Sequence, residues 1–178
     1  MTPIVQCVDR VAVDPVGRED PEDPPYTPER RKVPRLPGPA RVYLEMAQWL
    51  LAREMRESTA ILTVPEAAER AFRKLLDHLA RLITPSGCQA LLLRALHLTQ
   101  SDFRFLRATG PGLTTGAYFH ALGKRAEGTD PEQVQRGLAA LLGTLMELTA
   151  LFVGDYLLGR LVLEVWPDMP IREPSHPS

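Results

Sequence analysis

The pattern of apolar and polar positions centres on one long apolar segment, residues 130–166. Asp130 is placed to cap a helix, Pro131 suits the first helical turn, and Gln133 stands three positions after the cap, as in a capping box. Pro167 follows the segment and ends it, and no residue within it forbids a helix. We therefore predict a single helix, which at about 1.5 Å per residue would be roughly 50 Å long.

This long helix is apolar on nearly every side, so it has to be covered by other helices or by a partner molecule. Among its charged residues, Arg160 and Glu164 are four positions apart and are expected to pair, whereas Asp155 needs a partner on another helix. A narrow stripe of polar or small residues runs along it: Arg136, Gly143, Glu147 and Gly154. The two glycines of this stripe would let another backbone approach closely.

Apolar residues at spacings of three and four predict three further main helices and one short helix. Their predicted ranges are 40–57, 65–83, 88–100 and, for the short helix, 117–124. The helix over 65–83 has one apolar face, with acidic residues leading and basic residues trailing, as the helix dipole favours. Thr84 or Ser86 is expected to cap the next helix. After it, Phe103 and Phe105 either extend the helix or form a separate turn that inserts into the core.

The N-terminal residues 1–39 have a different composition and contain nine of the seventeen prolines. They predict an extended, Pro-rich arm or linker, because such a segment cannot form a helix. The tail 167–178 is also Pro-rich and is expected to fray. The prediction is an all-α fold in which residues 40–166 form a helical bundle of four main helices plus one short helix, with an extended Pro-rich N-terminal arm.

Composition and charge narrow the classes of partner. The chain has 178 residues, of which 44% are hydrophobic, and this is enough to bury a core in one domain. A formal charge of −1 argues against a dedicated nucleic-acid binder, which usually carries a basic excess. The charge is uneven, with a net of +4 over residues 40–128 and −3 over residues 129–166, which indicates basic helices packed near an acidic end.

A membrane span is not expected in the apolar segment. Glu147 and Asp155 lie within its most hydrophobic part, and each would cost about 2.5–3.5 kcal/mol at the bilayer centre. The N-terminus shows no signal-peptide pattern, and the two cysteines, Cys7 and Cys88, suit a reducing compartment. We expect a cytoplasmic protein.

A search for chemistry finds no catalytic, metal or cofactor site. The four histidines form no HxxxH or HExxH pair, and there is no CxxC motif. Cys88 stands at a helix N-terminus, where a thiol pKa can fall, but a buried structural cysteine is the favoured interpretation. The loop over residues 110–116 is rich in glycine yet lacks the GK[ST] ending of a phosphate-binding loop.

These observations favour a non-catalytic helical adaptor or structural or regulatory subunit of a cytoplasmic protein assembly, without a cofactor. It would associate with a protein partner or with copies of itself through the long helix and the arm. The predicted interface residues are Leu145, Phe152, Tyr156, Leu163 and Trp166. Among them, Tyr156 and Trp166 are expected to be the anchors. The alternative is a small-molecule-binding sensor or enzyme with a pocket between helices, lined by His120, Tyr118 or Glu147.

Overall fold

The computed structural model describes residues 39–57, 62–107 and 115–170, all of which belong to one of the two units into which the chain divides, Leu36–Ser178. Within these residues the fold is all-α, as predicted, with six α-helices, one short 3-10 helix and no strand. The helices are α1 Arg41–Glu57, α2 Val64–Leu79, α3 Pro85–Thr99, the 3-10 helix Arg104–Leu106, α4 Thr115–Ala126, α5 Pro131–Val153 and α6 Asp155–Val165. The predicted arm up to residue 38 and the tail from residue 171 lie outside the described residues.

The centre of the bundle is α5, which contacts α1, α2, α3 and α6. Between Gly137 and Met146 every residue except Ala140 is buried on it, because the helix presents apolar groups in all directions. Among the described helices α5 alone is long and apolar enough to cross a membrane, but 61% of its most hydrophobic window is buried inside the bundle. This burial is what the sequence predicts for a helix surrounded by other helices.

The prediction of one helix over residues 130–166 is wrong at Gly154, where the structure divides it into α5 and α6. Gly154 has φ +94° and ψ 150°, a conformation that side-chain-bearing residues rarely adopt. The break leaves the surrounding hydrogen bonds intact, because the Gly154 N–H donates to the Ala150 carbonyl over 2.7 Å and its carbonyl accepts from Leu158 over 3.1 Å. The extra helix raises the number of α-helices above the five predicted.

The ends of three helices follow the capping residues in the sequence. Asp130 accepts a hydrogen bond from the Gln133 N–H over 3.1 Å at the start of α5, and Thr84 accepts one from Gly87 over 3.2 Å at the start of α3. At α2, the Glu66 carboxylate accepts hydrogen bonds from the Thr63 N–H and hydroxyl, which lowers the pKa of Glu66. Local capping therefore fixes where these helices begin.

Two glycines let other elements approach α5 closely. A Cβ at Gly137 would stand 2.6 Å from the Phe105 ring. Phe105 is buried in the short 3-10 helix after α3, which confirms that this segment forms a separate turn inserted into the core. A Cβ at Gly143 would stand 3.2 Å from the Tyr43 carbonyl oxygen of α1. The close approach expected of the glycine stripe therefore occurs at Gly143, whereas Gly154 serves the break instead.

Residues 167–170, the described part of the predicted tail, contact the bundle. Asp168 forms an ion pair with Arg53 over 2.6 Å, and Met169 is buried. These contacts hold the end of α6 against the C-terminal part of α1.

Candidate functional site

The structure places the five predicted interface residues in two different environments. Leu145 and Trp166 are fully buried, so they lie in the core and not on the expected surface. Phe152 and Tyr156 are 69% and 76% exposed, and Leu163 is 38% exposed. Leu145 is buried because α5 is covered on most sides, and Trp166 is buried because the core supplies an acceptor for its indole N–H.

That acceptor is Glu54, a fully buried carboxylate on α1. The Trp166 Nε1–H donates to Glu54 Oε1 over 2.8 Å, and Lys74 of α2 lies 2.6 Å from the same oxygen. Arg70 Nε lies 3.5 Å from Oε2, an ion-pair distance, although Oε2 accepts no hydrogen bond from the described residues. The Lys74 ammonium also lies 5.9 Å from the Trp166 ring centroid. Glu54 thus connects α1 and α2 to the end of α6.

Sequence reasoning missed Glu54, although a signal for its burial exists. Ala47, Leu50 and Leu51 are buried on α1, and Glu54 continues their spacing of three and four residues. A carboxylate on the apolar face of an amphipathic helix has to find cationic or N–H partners, because burying it alone is costly. The pattern therefore indicates a buried charge, but it does not identify the partners.

Large apolar side chains remain uncovered on both sides of Gly154. Leu151 is 80% exposed and Leu157 is 43% exposed, and they flank the exposed Phe152 and Tyr156. We call Leu151, Phe152, Tyr156 and Leu157 the Gly154 patch. They fall within seven consecutive residues, at the end of α5 and the start of α6.

The backbone at the centre of the Gly154 patch is open. No atom of the described chain outside its neighbours lies within 4 Å of the position that a Cβ on Gly154 would take. Beside it, the Tyr43 hydroxyl of α1 donates a hydrogen bond to Asp155, which confirms the partner on another helix expected for this carboxylate. Burial, this hydrogen bond and the charges of Asp155 and Glu147 raise the pKa of Tyr43 to about 12.

A second feature is a groove of about 550 Å³ that lies over α5 between α1 and α3, and we call it the α5 groove. Its apolar lining includes Leu44, Leu98, Phe103, Ala140, Leu148 and Leu151. Its polar lining consists of Gln48, Arg94, Thr99, Asp102, Arg136, Thr144 and Glu147. Leu151 belongs both to this groove and to the Gly154 patch.

The charged side chains of the α5 groove have no ion-pair partner among the described residues. Arg94, Asp102, Arg136 and Glu147 are all without one, although ion pairs are frequent elsewhere in the bundle. Thr144 is buried beside them on the floor of the groove. The groove therefore offers unpaired polar groups of both signs above an apolar floor.

The three residues of the alternative pocket are not brought together. Glu147 lines the α5 groove, whereas His120 lines a separate, shallower groove between α2, α4 and α5. Tyr118 is buried, and its hydroxyl donates to the Leu106 carbonyl over 2.9 Å. Burial also raises the pKa of Tyr118.

The described residues contain no arrangement that suits metal binding or thiol chemistry. No group of three or more His, Cys, Asp or Glu residues among them is placed to hold a metal ion. Cys88 is buried near the start of α3, and burial raises the pKa of its thiol above the usual value. The helix N-terminus does not offset this effect, so the thiolate form is disfavoured at neutral pH.

Comparisons with known proteins leave the geometry as the only guide to function. A scan against models of protein families finds no match. A search of curated proteins and a search of solved structures likewise find no similar chain. The functional conclusion therefore depends on the Gly154 patch and the α5 groove.

Proposed function

We propose that this protein is a non-catalytic helical subunit that associates with a protein partner through the Gly154 patch. The observation that carries this proposal is the exposure of four large apolar side chains within seven residues, where α5 ends and α6 begins. Contiguous apolar surface of this kind marks interaction sites in proteins, and aromatic residues dominate the energetics of such sites. The predicted Pro-rich arm lies outside the described residues and remains a second, untested element of association.

The magnitudes allow the patch to support association. Two aromatic side chains that are about three-quarters exposed offer roughly 300 Å² of surface, or about 7 kcal/mol of gross hydrophobic stabilisation. Association itself costs at least about 4 kcal/mol in lost translational and rotational freedom. The aromatic side chains alone thus leave only a small net free energy of association. Burial of the two leucines of the patch has to add to it, and we expect the resulting contact to be reversible.

Site-specific photo-cross-linking in the cells that produce the protein tests this proposal. A photoreactive phenylalanine analogue would replace Phe152 or Tyr156, which keeps the aromatic character of each position. Gln135 of α5, which is exposed and lies sixteen residues before Leu151, or about 24 Å along the helix, gives the matched control. We expect both patch positions to give the same discrete product, and the control position to give none.

The product also has to depend on the surface of the patch. Leu151→Glu, introduced beside the photoreactive residue, is expected to reduce its yield because a charge would enter the apolar contact. Equal cross-linking from the patch and from position 135, or no discrete product from either patch position, would contradict the proposal.

A second candidate function is supported by the α5 groove. Its volume of about 550 Å³ is in the range of small-molecule sites, and Arg94 and Arg136 present guanidinium groups without ion-pair partners in the described chain. An apolar carboxylic acid fits this chemistry, because arginine binds carboxylates through two parallel hydrogen bonds. Calorimetric titration with decanoate tests it. Saturable binding that Arg136→Gln or Arg94→Gln weakens about tenfold would support a ligand site, and absence of binding would exclude this ligand class.

A further inference from the structure

We infer that the partner at the Gly154 patch is a second copy of this chain, related to the first by a twofold axis that passes close to Gly154. This inference depends on the proposed function, since it names the partner of the same surface. Twofold contacts use one patch on both copies, so such a patch has to complement itself.

The residues around Gly154 have this self-complementary order. In the sequence LFVGDYL, Leu151 and Leu157 stand three residues from Gly154 on either side, and Phe152 and Tyr156 stand two residues from it. An antiparallel arrangement of two copies about Gly154 therefore brings Phe152 opposite the second copy's Tyr156, and the symmetry produces this pair twice. The two leucine positions meet in the same way, so each large apolar group finds an apolar partner.

Gly154 itself suits the position nearest the axis. It has no side chain, and the space where a Cβ would stand is open in the described structure. Two backbones can approach most closely where neither carries a side chain. Its φ of +94° also sets the angle between α5 and α6, so the two halves of the patch are held in place before association.

The charges around the patch favour a second copy over a lipid surface. Asp155 lies within the patch segment and Glu147 lies four residues before Leu151, whereas Arg160 of α6 is paired with Glu164 over 3.8 Å. An amphipathic surface that binds anionic lipid normally carries a rim of Lys and Arg, and residues 147–164 of α5 and α6 contain no unpaired Lys or Arg. Asp155, the carboxylate nearest the axis, accepts a hydrogen bond from Tyr43 and lies in the first turn of α6, where the helix dipole favours a negative charge.

The area of the patch sets the expected strength of the dimer. The four side chains expose roughly 500 Å² per copy, less than the about 800 Å² per partner of a standard stable complex. We therefore expect a reversible dimer whose population rises with protein concentration.

A charge exchange between the two aromatic positions tests the twofold arrangement. Sedimentation velocity on the full chain would compare Phe152→Glu, Tyr156→Lys, their equimolar mixture and the double variant. Each single variant is expected to weaken the dimer tenfold or more, because a charge enters an apolar contact in both halves of the interface. In the mixture, the introduced Glu at position 152 of one copy faces the introduced Lys at position 156 of the other, so one aromatic pair becomes an ion pair. In the double variant both pairs become ion pairs. We expect the mixture and the double variant to dimerise at least tenfold more tightly than either single variant. Gln135→Glu, on an exposed position at the opposite end of α5, is the control that should leave sedimentation unchanged.

The outcomes separate this inference from the proposed function. If the single variants dissociate the dimer but neither the mixture nor the double variant restores it, the twofold arrangement is wrong while association at the patch stands. If the wild-type chain stays a monomer at every concentration, the second copy is excluded, and a cross-link from position 152 to a different protein would still support the proposed function. Because both side chains are largely exposed, far-ultraviolet circular dichroism of all variants is expected to match the wild type.

Discussion

The two ends of α6 differ in whether their aromatic residues are buried or exposed. At the C-terminal end, Trp166 is buried and donates its indole N–H to the buried Glu54. At the N-terminal end, the Tyr156 side chain is exposed to solvent, two residues after Gly154. The same short helix thus has one end joined to the core and one end with uncovered apolar surface.

The two aromatic residues differ in whether the fold supplies a buried polar partner. A buried indole needs an acceptor for its N–H, and Glu54 supplies one because Lys74 compensates its charge. No described residue plays that role for the Tyr156 side chain, which remains exposed. We therefore expect substitutions at the Trp166 end to change stability and substitutions at the Gly154 end to change association.

The largest effect is expected from Trp166→Ala. Removal of a buried indole leaves a cavity and leaves Glu54 without one hydrogen bond, so the free energy of unfolding should fall by about 3–5 kcal/mol. Tyr156→Ala, the matched aromatic substitution at the other end of α6, should change it by no more than about 0.5 kcal/mol in the monomer. Urea denaturation at low protein concentration measures both, and equal losses for the two variants would remove the distinction between the two ends.

An intermediate effect is expected from Gly154→Ala. The residue has φ +94°, so a Cβ strains the backbone although the space around it is open, and the expected loss of unfolding free energy is about 1–3 kcal/mol. Gly159→Ala is the control, because Gly159 lies within α6, also in open space, and without a positive φ. That substitution should stabilise the protein by about 0.5–1 kcal/mol. Thermal unfolding that shifts in the same direction for both variants would show that the break at Gly154 is not maintained.

The smallest effect concerns the link between Tyr43 and Asp155 next to the Gly154 patch. Because the pKa of Tyr43 is raised to about 12 in the folded state, from an ordinary value near 10, the unfolded chain releases this proton first as pH rises. The contribution to stability is therefore complete below pH 10 and is lost between about pH 10 and 12. Tyr43→Phe should remove it, so the difference between the wild-type and variant stability curves should shrink across this interval. A constant difference would contradict the assigned hydrogen bond.

Much of the fold can be predicted from the sequence, because its signals are local. Asp130 and Thr84 mark helix starts through side-chain caps, and the apolar composition of α5 requires cover by other helices. The break at Gly154 was not predicted. A single glycine is compatible with a helix, and its positive φ is set by how α6 packs back on α2 and α5.

The candidate site is less accessible to sequence reasoning, since it depends on which apolar residues the other helices leave uncovered. Of the five predicted interface residues, Phe152, Tyr156 and Leu163 are exposed, whereas Leu145 and Trp166 are buried. Their difference arises from contacts with residues distant in the chain, such as the contact between Glu54 and Trp166. Periodicity indicates how apolar a helix is, but it does not show which part of that surface the rest of the fold covers.

Hydrogen exchange at increasing protein concentration tests most directly whether the Gly154 patch is the association surface. The N–H groups of the first turn of α6 have no intrahelical acceptor, so they exchange readily while the patch is uncovered. We predict that exchange over residues 151–157 slows as concentration rises, whereas exchange is unchanged over α4, whose main contacts are with α2 and the 3-10 helix. Unchanged exchange over residues 151–157 in a sample that sediments as a dimer would contradict this account, because the association surface would then lie elsewhere on the molecule.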